Sequence, residues 1–412
     1  MRYFLMLAAA LAVVGCSREK DIEPPAELVD FDATRRIERV WSASVGGDAE
    51  VQRLGLGLGV NSTHVFAAGR GGDVASFAID TGKQAWRTET RASLSGGTGA
   101  GDALVAVGST DGDVIALDAK TGAERWRVRV GGEVLSAPAI TDSIVVVRTV
   151  DGRLRGLSTD DGREVWLHEQ QVPRLSLRGA SRPVISGDLV ICGFDNGKVV
   201  AVTLADGALV WETPVTPPRG RTELERLVDI DSAVVVAGND VFTAGFQGRV
   251  AMLARDTGQI WWSREASSHR GVGLDDNAVY LSSSEGEVVA LRRTTGVELW
   301  RQNAFARRGL SAPAATENGV LVGDFQGYVH VLDKASGALA ARLPGLDARI
   351  SQKPLVVGDL AIVITDRGRI AALRIRDTRQ PAQPQAEQPQ AEQPQPEQAP
   401  PPESAEEKPP GE

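Results

Sequence analysis

Residues 118–126 read DAKTGAERW, a phrase in which tryptophan follows glycine by four residues. Five further copies occur: DTGKQAW (80–86), TDDGREVW (159–166), LADGALVW (204–211), DTGQIWW (256–262) and TTGVELW (294–300). A seventh phrase, DKASGALAA, keeps the glycine at 337 but has Ala341 where tryptophan is expected. Because the phrases recur at about forty residues, the pattern indicates a repeat architecture built from one supersecondary unit.

Each phrase is preceded by segments with apolar residues at alternate positions, which is typical of β-strands. Examples opened by a glycine turn are GDVIALD (112–118) and GKVVAVTL (197–204), and another strand comes before each, such as LVICGF (189–194). Four copies add a proline near the start of a further strand, a position that tolerates the missing amide proton. The unit is therefore predicted to be four antiparallel strands with no helix.

Four strands in forty residues match the blade of a β-propeller, and the tryptophans are expected to fill the space between neighbouring blades. Eight glycine-opened strands run from Gly72 to Gly368, but the last, at 368–374, has no following strand. Conversely, IERVWSASV (37–45) contains Trp41 and has no strand before it. The prediction is an all-β, eight-bladed β-propeller of four-stranded antiparallel blades. The N-terminal strand would complete the C-terminal blade and remove the open edge of the ring.

The two chain ends differ from the repeat. Residues 1–15 form a short apolar stretch with an early arginine, as in secretory signals, and the VVGC ending is similar to a bacterial lipobox. Cys16 is then the predicted lipidation site and 16–36 a polar tether; an ordinary cleaved signal is the alternative. The propeller is predicted over 37–376. Residues 377–412 are rich in Pro, Gln and Glu, so they are predicted to be disordered.

The amino-acid composition of the chain limits the ligands and cofactors that the protein could bind. The formal net charge of −9 falls mostly on the C-terminal tail, which leaves the body near neutral and disfavours nucleic-acid binding. Two cysteines and four histidines cannot furnish a disulfide framework or a rich metal site, so no metal and no cofactor are predicted. Cys192 lies in the strand LVICGF and is interpreted as a buried small hydrophobe.

Two stretches between blades depart from the repeat. The first, VPRLSLRGASRP (172–183), places Leu175 and Leu177 beside Arg178 and Arg182; the second, 214–236, lengthens a connection that carries Asp229 and Asp231. Leucines flanked by charges on a loop can anchor a partner. They can equally pack against the propeller rim, and the residues alone leave both interpretations open.

The A-x-D-x-x-TG-x-x-x-W phrase resembles the repeat of quinoprotein alcohol dehydrogenases. That resemblance would imply an enzyme that binds pyrroloquinoline quinone and calcium. Many such enzymes carry adjacent cysteines, which this sequence lacks, and their chains are longer. A quinone-dependent enzyme is therefore the alternative to a non-enzymatic scaffold, and another lipid-anchored periplasmic scaffold is a third possibility.

The lipobox, the repeat, PRLSLRG at 173–179 and TELERLVDID at 222–231 together resemble the BamB family, lipoprotein subunits of the outer-membrane β-barrel assembly complex. The resemblance implies that both loops lie on one side of the propeller and contact the POTRA domains of BamA. The partner-binding residues it implies are Leu175, Leu177, Arg178, Asp229 and Asp231.

The resemblance also implies a cellular role. The chain would be lipid-anchored in the outer membrane of a Gram-negative bacterium and would face the periplasm. It would support BamA while unfolded outer-membrane proteins are delivered, with direct contact to those clients as a further expectation. Neither the alanine at 341 nor the acidic tail has a role that the family explains.

Overall fold

The structure, a computed structural model, describes residues 23–46, 56–173, 175, 179–217, 221–222, 228–378 and 411. The predicted signal, the lipidation site Cys16 and nearly all of the predicted tail lie outside these residues. Within the described ranges the regular elements are all strands. They contain no helix of the length and apolarity that crossing a membrane requires.

The first half of the propeller contains, in chain order, β1 (Arg35–Ser44), β2 (Gly59–Val60), β3 (His64–Ala68), β4 (Asp73–Ala78), β5 (Gln84–Glu89), β6 (Leu94–Ala100), β7 (Leu104–Ser109), β8 (Asp113–Asp118), β9 (Glu124–Arg129), β10 (Ala139–Ile140), β11 (Ile144–Arg148), β12 (Arg153–Ser158), β13 (Glu164–Glu169), β14 (Val184–Ser186), β15 (Leu189–Gly193) and β16 (Lys198–Thr203). The second half contains β17 (Leu209–Pro214), β18 (Val235–Ala237), β19 (Asp240–Ala244), β20 (Arg249–Ala254), β21 (Ile260–Glu265), β22 (Val272–Leu274), β23 (Ala278–Ser282), β24 (Val288–Arg292), β25 (Glu298–Gln302), β26 (Ala314–Thr316), β27 (Gly319–Gly323), β28 (Val329–Leu332), β29 (Leu339–Leu343), β30 (Leu355–Val357), β31 (Leu360–Ile364) and β32 (Arg369–Asp377).

These strands form eight antiparallel sheets of four strands each, which are the blades of the propeller. Blades 1 to 7 take four consecutive strands, from β2–β5 for blade 1 to β26–β29 for blade 7. In each blade the first strand is innermost and the last is outermost. Blade 8 consists of β30, β31 and β32, with β1 as its outermost strand. The predicted fold class and blade count are confirmed.

The ring is closed by the pairing of β1 with β32. The pairing runs from Arg35 opposite Asp377 to Ser44 opposite Arg369, with a register shift between Arg39 and Trp41. A long antiparallel ladder of this kind leaves neither strand as a free edge. The chain's first and last described strands therefore seal the propeller, as the count of repeats predicted.

The glycine and the tryptophan of the repeat meet between blades. In seven blades the indole ring lies against the turn glycine of the next blade; a Cβ atom on Gly258, for instance, would come within 2.5 Å of Trp211. The indole N–H also donates to a carbonyl of that next turn, at 2.7 Å between Trp211 and Arg255. Because Gly258 has φ of 68° and no side chain, the turn can both form and accept the ring.

The closure of the ring explains why position 341 is alanine rather than tryptophan. Ala341 occupies the tryptophan position of blade 7, and the next blade is blade 8, whose two outer strands are the two ends of the propeller chain. Blade 8 therefore has no glycine turn between β32 and β1 against which a tryptophan could stack. Ala341 is instead buried among aliphatic side chains at the interface between blades 7 and 8.

Apolar clusters fill the interfaces between adjacent blades. Between blades 1 and 2, for example, Phe66 and Trp86 pack with Val105, Val107 and Ile115. Burial of such side chains stabilises each by roughly 1.5–3 kcal/mol relative to exposure. Because every blade buries both faces against its neighbours, stability depends on the ring rather than on any single sheet.

Residues 23–34 lie along the outside of blade 7. The backbone of Ala26 bonds to Ala306 at 2.9 Å, and that of Thr34 bonds to Ala340 at 3.0 Å. At the first of these points Arg308 also donates to the carbonyl of Ala26 at 3.0 Å. We call residues 23–34 the N-terminal strap. It fixes the chain on the propeller before β1 begins.

Candidate partner-binding face

The two unusual connections lie at one end of the blades. In a four-stranded antiparallel blade, the turns between the first two strands and between the last two are at one end. The connections from an outermost strand to the next innermost strand are at the other end. We call this second end the connection face. Residues 170–183 join blades 3 and 4 there, and residues 215–234 join blades 4 and 5.

The structure describes three of the five predicted partner-binding residues. The side chain of Leu175 is 45% exposed, which is high for a large apolar residue. Asp229 is fully buried, and Asp231 is partly buried. Leu177 and Arg178 lie outside the described residues.

The two connections are packed together. Gly179 lies so close to Asp231 that a Cβ atom at residue 179 would be 2.3 Å from the Asp231 Cγ atom. Slightly further along both segments, the hydroxyl of Ser181 donates to the carbonyl of Ser232 at 2.8 Å. Segments about fifty residues apart in sequence thus form one unit. A side chain at position 179 could not fit without moving Asp231.

A charged cluster lies beneath this contact. Arg148, at the end of β11, is fully buried and forms an ion pair with Asp195, which follows β15. The Arg148 guanidinium also lies over the Phe194 ring, 4.7 Å from its centroid. Carboxylate oxygens of Asp195, Asp229 and Asp231 all lie within 4.8 Å of one another. The cluster therefore links blades 3 and 4 to the second connection.

The carboxylates of this cluster share little hydrogen bonding. Among the described residues, no donor other than a carboxyl group bonds to either side-chain oxygen of Asp229 or to Oδ1 of Asp231. The side chains of Asp229 and Asp231 share a hydrogen bond when one of them carries a proton. Burial, followed by the charge of Asp231, raises the pKa of Asp229 to about 9. Burial and the charge of Asp195 also raise the pKa of Asp231. Near neutral pH Asp229 is therefore protonated, because three adjacent buried carboxylates cannot all remain ionised beside one arginine.

The three carboxylates offer oxygen atoms of the kind that bind a hard cation. Arg148 already supplies a positive charge inside the cluster, and the protonation of Asp229 removes one negative charge. The arrangement is accordingly that of a structural charge network. Cys192 borders it, and burial raises its pKa to about 11, so the thiol remains protonated and packs as a small apolar group.

Arg148 and Asp195 were not among the predicted site residues. Arg148 follows the apolar run of SIVVVRT (143–149) in a strand buried on both faces. A charged residue within such a strand signals a buried partner, because an isolated buried charge is costly. The sequence does not reveal which carboxylate pairs with it.

A cavity of about 900 Å³ lies on the axis of the ring. Innermost strands of the blades and the residues before them form its wall, including Arg182, Asp231, Arg270 and Lys353. Arg182 and Asp231 border both this cavity and the packed connections. The cavity and the connection face are therefore adjacent.

The outer edges of blades 3 to 6 carry exposed apolar side chains. The outermost strands, together with the residue just before the strand of blade 6, contribute eight of them: Val165, Leu167, Leu209, Val210, Ile260, Trp261, Val297 and Leu299. Trp261 is the most exposed, at 57%. In blades 1 and 2 the corresponding positions beside the tryptophan include Arg87, Arg125 and Arg127.

Four-stranded blades, seven of them with a glycine turn between the two outer strands on which a tryptophan of the preceding blade stacks, define an eight-bladed propeller of the PQQ-like repeat class. The sequence profile of the family described as outer membrane protein assembly factor BamB matches residues 70–302 and 284–399. The chain is 45% identical over 377 residues to the outer membrane protein assembly factor BamB of Pseudomonas aeruginosa, covering 91% of this chain and 99% of that one. The chain belongs to the BamB family.

Solved structures agree with this assignment. The crystal structure of BamB from Moraxella catarrhalis superposes with a TM-score of 0.76 at 28% identity, covering 82% of this chain and all of that one. A quinohemoprotein alcohol dehydrogenase from Pseudomonas putida has a TM-score of 0.65 at 14% identity, covering 86% of this chain and 78% of that one. The second likeness concerns the fold alone.

Proposed function

We propose that this protein is a non-enzymatic, lipid-anchored scaffold of the outer-membrane β-barrel assembly machinery. Its connection face would bind the POTRA domains of BamA. The observation that carries the proposal is the contact between Gly179 and Asp231, which unites the two connections that depart from the blade repeat. The exposed Leu175 belongs to the same unit.

Each proposed residue has a distinct role. Leu175 and Leu177 would insert into an apolar groove on BamA, where burial of a leucine is worth about 1.5–3 kcal/mol. In the sequence Arg178 directly precedes Gly179, the glycine that contacts Asp231. It would bond to a carbonyl or carboxylate of BamA, or pair with Asp229 or Asp231. The two aspartates would hold the connections from below.

Charge reversal and apolar disruption test this interface. Arg178→Glu and Leu175→Asp are each expected to abolish co-purification with BamA from detergent-solubilised membranes, with little change in the thermal transition. Leu209→Asp is the matched control, since Leu209 is also an exposed leucine, 51% exposed, but lies on the outer edge of blade 4. If both interface variants still co-purify with BamA, the connection face is not the surface that binds BamA.

The anchor is tested separately. Cys16→Ala should prevent lipidation and release the chain from the outer-membrane fraction, because hydrocarbon burial of about 0.8 kcal/mol per methylene is lost. The propeller should fold unchanged, since its first strand begins at Arg35. A variant that stays in the outer membrane in cells lacking BamA would exclude Cys16 as the anchor.

We further propose that unfolded outer-membrane proteins contact the apolar outer edges of blades 3 to 6. The support is the concentration of exposed apolar side chains on four successive edge strands. Photocrosslinkers at Trp261 should capture clients, whereas one at Arg87, on the edge of blade 1, should not. Crosslinks confined to BamA would reject client contact.

The fold likeness to a quinohemoprotein alcohol dehydrogenase is the observation that favours an enzyme. We expect no dye-linked alcohol oxidation after addition of pyrroloquinoline quinone and calcium. Turnover above that of a heat-denatured sample would support the enzymatic alternative.

A further inference from the structure

One layer of residues around the cavity is unusual in its charge. In each blade, the register across the four strands aligns one residue of the innermost strand with the tryptophan position of the outermost strand. This residue is Val184 in blade 4, aligned with Trp211, and Leu355 in blade 8, aligned with Trp41. Two residues before these are Arg182 and Lys353. The equivalent positions of the other six blades are all glycine or alanine: Gly57, Gly97, Ala137, Ala233, Gly271 and Ala312.

The ring places the two basic residues, Arg182 and Lys353, on opposite blades. Blades 4 and 8 are half a turn apart in a ring of eight, so the backbones of Arg182 and Lys353 lie on opposite sides of the cavity. The Lys353 side chain extends to blade 6, where its Nζ reaches the carbonyl of Val272. The small residues between the two blades leave the axis open. Arg270 borders the same cavity from blade 6, adjacent in sequence to the equivalent position Gly271.

These cations have few partners within the part of the chain that the structure describes. Lys353 donates one hydrogen bond, to the carbonyl of Val272 at 2.8 Å, which leaves two of its N–H groups available. Arg182 forms no ion pair or hydrogen bond there. Lys353 is exposed to solvent and Arg182 is partly buried, as expected for groups on the wall of an open cavity.

The pKa values of the three basic side chains are lowered, as expected where the surrounding protein neutralises their positive charge only in part. Burial lowers the pKa of Lys353 to about 8 and also lowers that of Arg182. Burial, and then the nearby Arg349, lowers the pKa of Arg270 to about 10, although the charge of Asp366 acts in the opposite direction. An anion in the cavity would oppose each of these shifts. Asp231 is the carboxylate on the cavity wall, and it lies at the side formed by Gly179.

We propose that the axial cavity is a binding site for a small molecule that carries two or more oxyanion groups. Arg182 would bind one end from blade 4, and the Lys353 ammonium, which lies beside blade 6, would bind the other end together with Arg270. Arginine suits this role because its planar guanidinium can bond two oxygens at once. The volume of about 900 Å³ admits a molecule of metabolite size. This site is separate from the proposed BamA contact through Leu175.

Isothermal titration of the isolated full chain tests the site, with citrate and pyrophosphate as probes at constant ionic strength. We expect saturable binding of one molecule per chain. Arg182→Gln and Lys353→Gln should each weaken binding by about tenfold or more, as loss of a charged hydrogen bond implies. Arg125→Gln is the control, because Arg125 is an exposed arginine on the outer edge of blade 2.

The outcomes separate the ligand classes. Saturation by citrate alone would identify carboxylates, saturation by pyrophosphate alone would identify phosphates, and saturation by both would indicate general oxyanion recognition. Arg182→Met and Lys353→Met serve as a second pair if a glutamine variant does not fold. No saturation by either probe at millimolar concentration, or equal affinity for the parent and the double variant, would overturn the proposal. Because BamA is absent from the titration, the result is independent of the partner proposal.

Discussion

Asp231 lies against Gly179 across two connections of the propeller, with 2.3 Å between its Cγ atom and the place where a Cβ atom of residue 179 would be. The contact joins the loop after blade 3 to the segment before blade 5. Asp231 in turn belongs to the buried charged cluster that contains Arg148 and Asp195. The position of that loop therefore depends on buried residues of other blades.

Gly179→Ala should reduce co-purification with BamA by about tenfold, because the added methyl group must displace Asp231 and, with it, the loop that carries Leu175. Circular dichroism should still report a folded propeller. Gly71→Ala is the matched control, since a Cβ atom there meets nothing within 4 Å. Equal recovery of BamA by both variants would show that this contact does not position the interface.

Asp229→Asn should stabilise the protein at alkaline pH. Because burial raises the pKa of Asp229 to about 9, whereas an aspartate in the unfolded chain has a pKa of about 4, folding requires proton uptake between these two pH values. Stability of the parent therefore falls as pH rises through this window. The asparagine avoids that loss, and we expect a gain of up to about 5 kcal/mol at pH 8 that vanishes near pH 4.

Urea unfolding at several pH values measures this difference. Asp276→Asn, at an exposed turn, provides the comparison and should shift stability little at any pH. A destabilised Asp229→Asn at pH 8 would mean that the carboxylate is ionised and paired in the folded protein.

Gly258→Ala should destabilise the propeller by about 2–4 kcal/mol. The methyl group would lie 2.5 Å from Trp211, and the residue has φ of 68°, so steric overlap adds to the cost of the left-handed backbone. Gly238→Ala separates the two effects, because Gly238 has φ of 64° but a Cβ atom there meets nothing within 4 Å. Thermal unfolding should rank Gly238→Ala as the milder change; equal losses would assign no role to the tryptophan contact.

Arg308→Met should weaken the contact between the N-terminal strap and the propeller. It should also lower the free energy of unfolding by about 3–5 kcal/mol. Arg308 bonds to Asp324 at 2.6 Å in a buried pair and also to the strap carbonyl of Ala26, so its loss leaves Asp324 without its strongest cation. Cleavage within residues 23–34 by a protease should become faster.

Arg307→Met is the control for this variant, because the ion pair of Arg307 with Glu23 is exposed and such pairs contribute about 1 kcal/mol or less. If the strap is cleaved equally fast in the two variants, the buried pair does not hold it.

The sequence determined the architecture because its signals are local. A turn glycine, three further residues and a tryptophan specify the outer half of a blade, and alternating apolar residues specify its strands. Counting incomplete copies at Trp41 and at 368–374 then predicted the closure that β1 and β32 form. The segments around Leu175 and Asp229 were recognisable because they interrupt that regular pattern.

Only the tertiary structure decided which distant residues meet. Arg148, Asp195 and Asp231 come from three separate parts of the chain, and the packing of blades 3 and 4 against the second connection brings their charges together. Position 341 is alanine rather than tryptophan because the neighbouring blade 8 has no glycine turn between its two outer strands. Arg182 and Lys353 lie on opposite sides of the cavity only because their blades are opposite in the ring. Such relations depend on blade number and on side-chain packing across interfaces. No local pattern of residues encodes them.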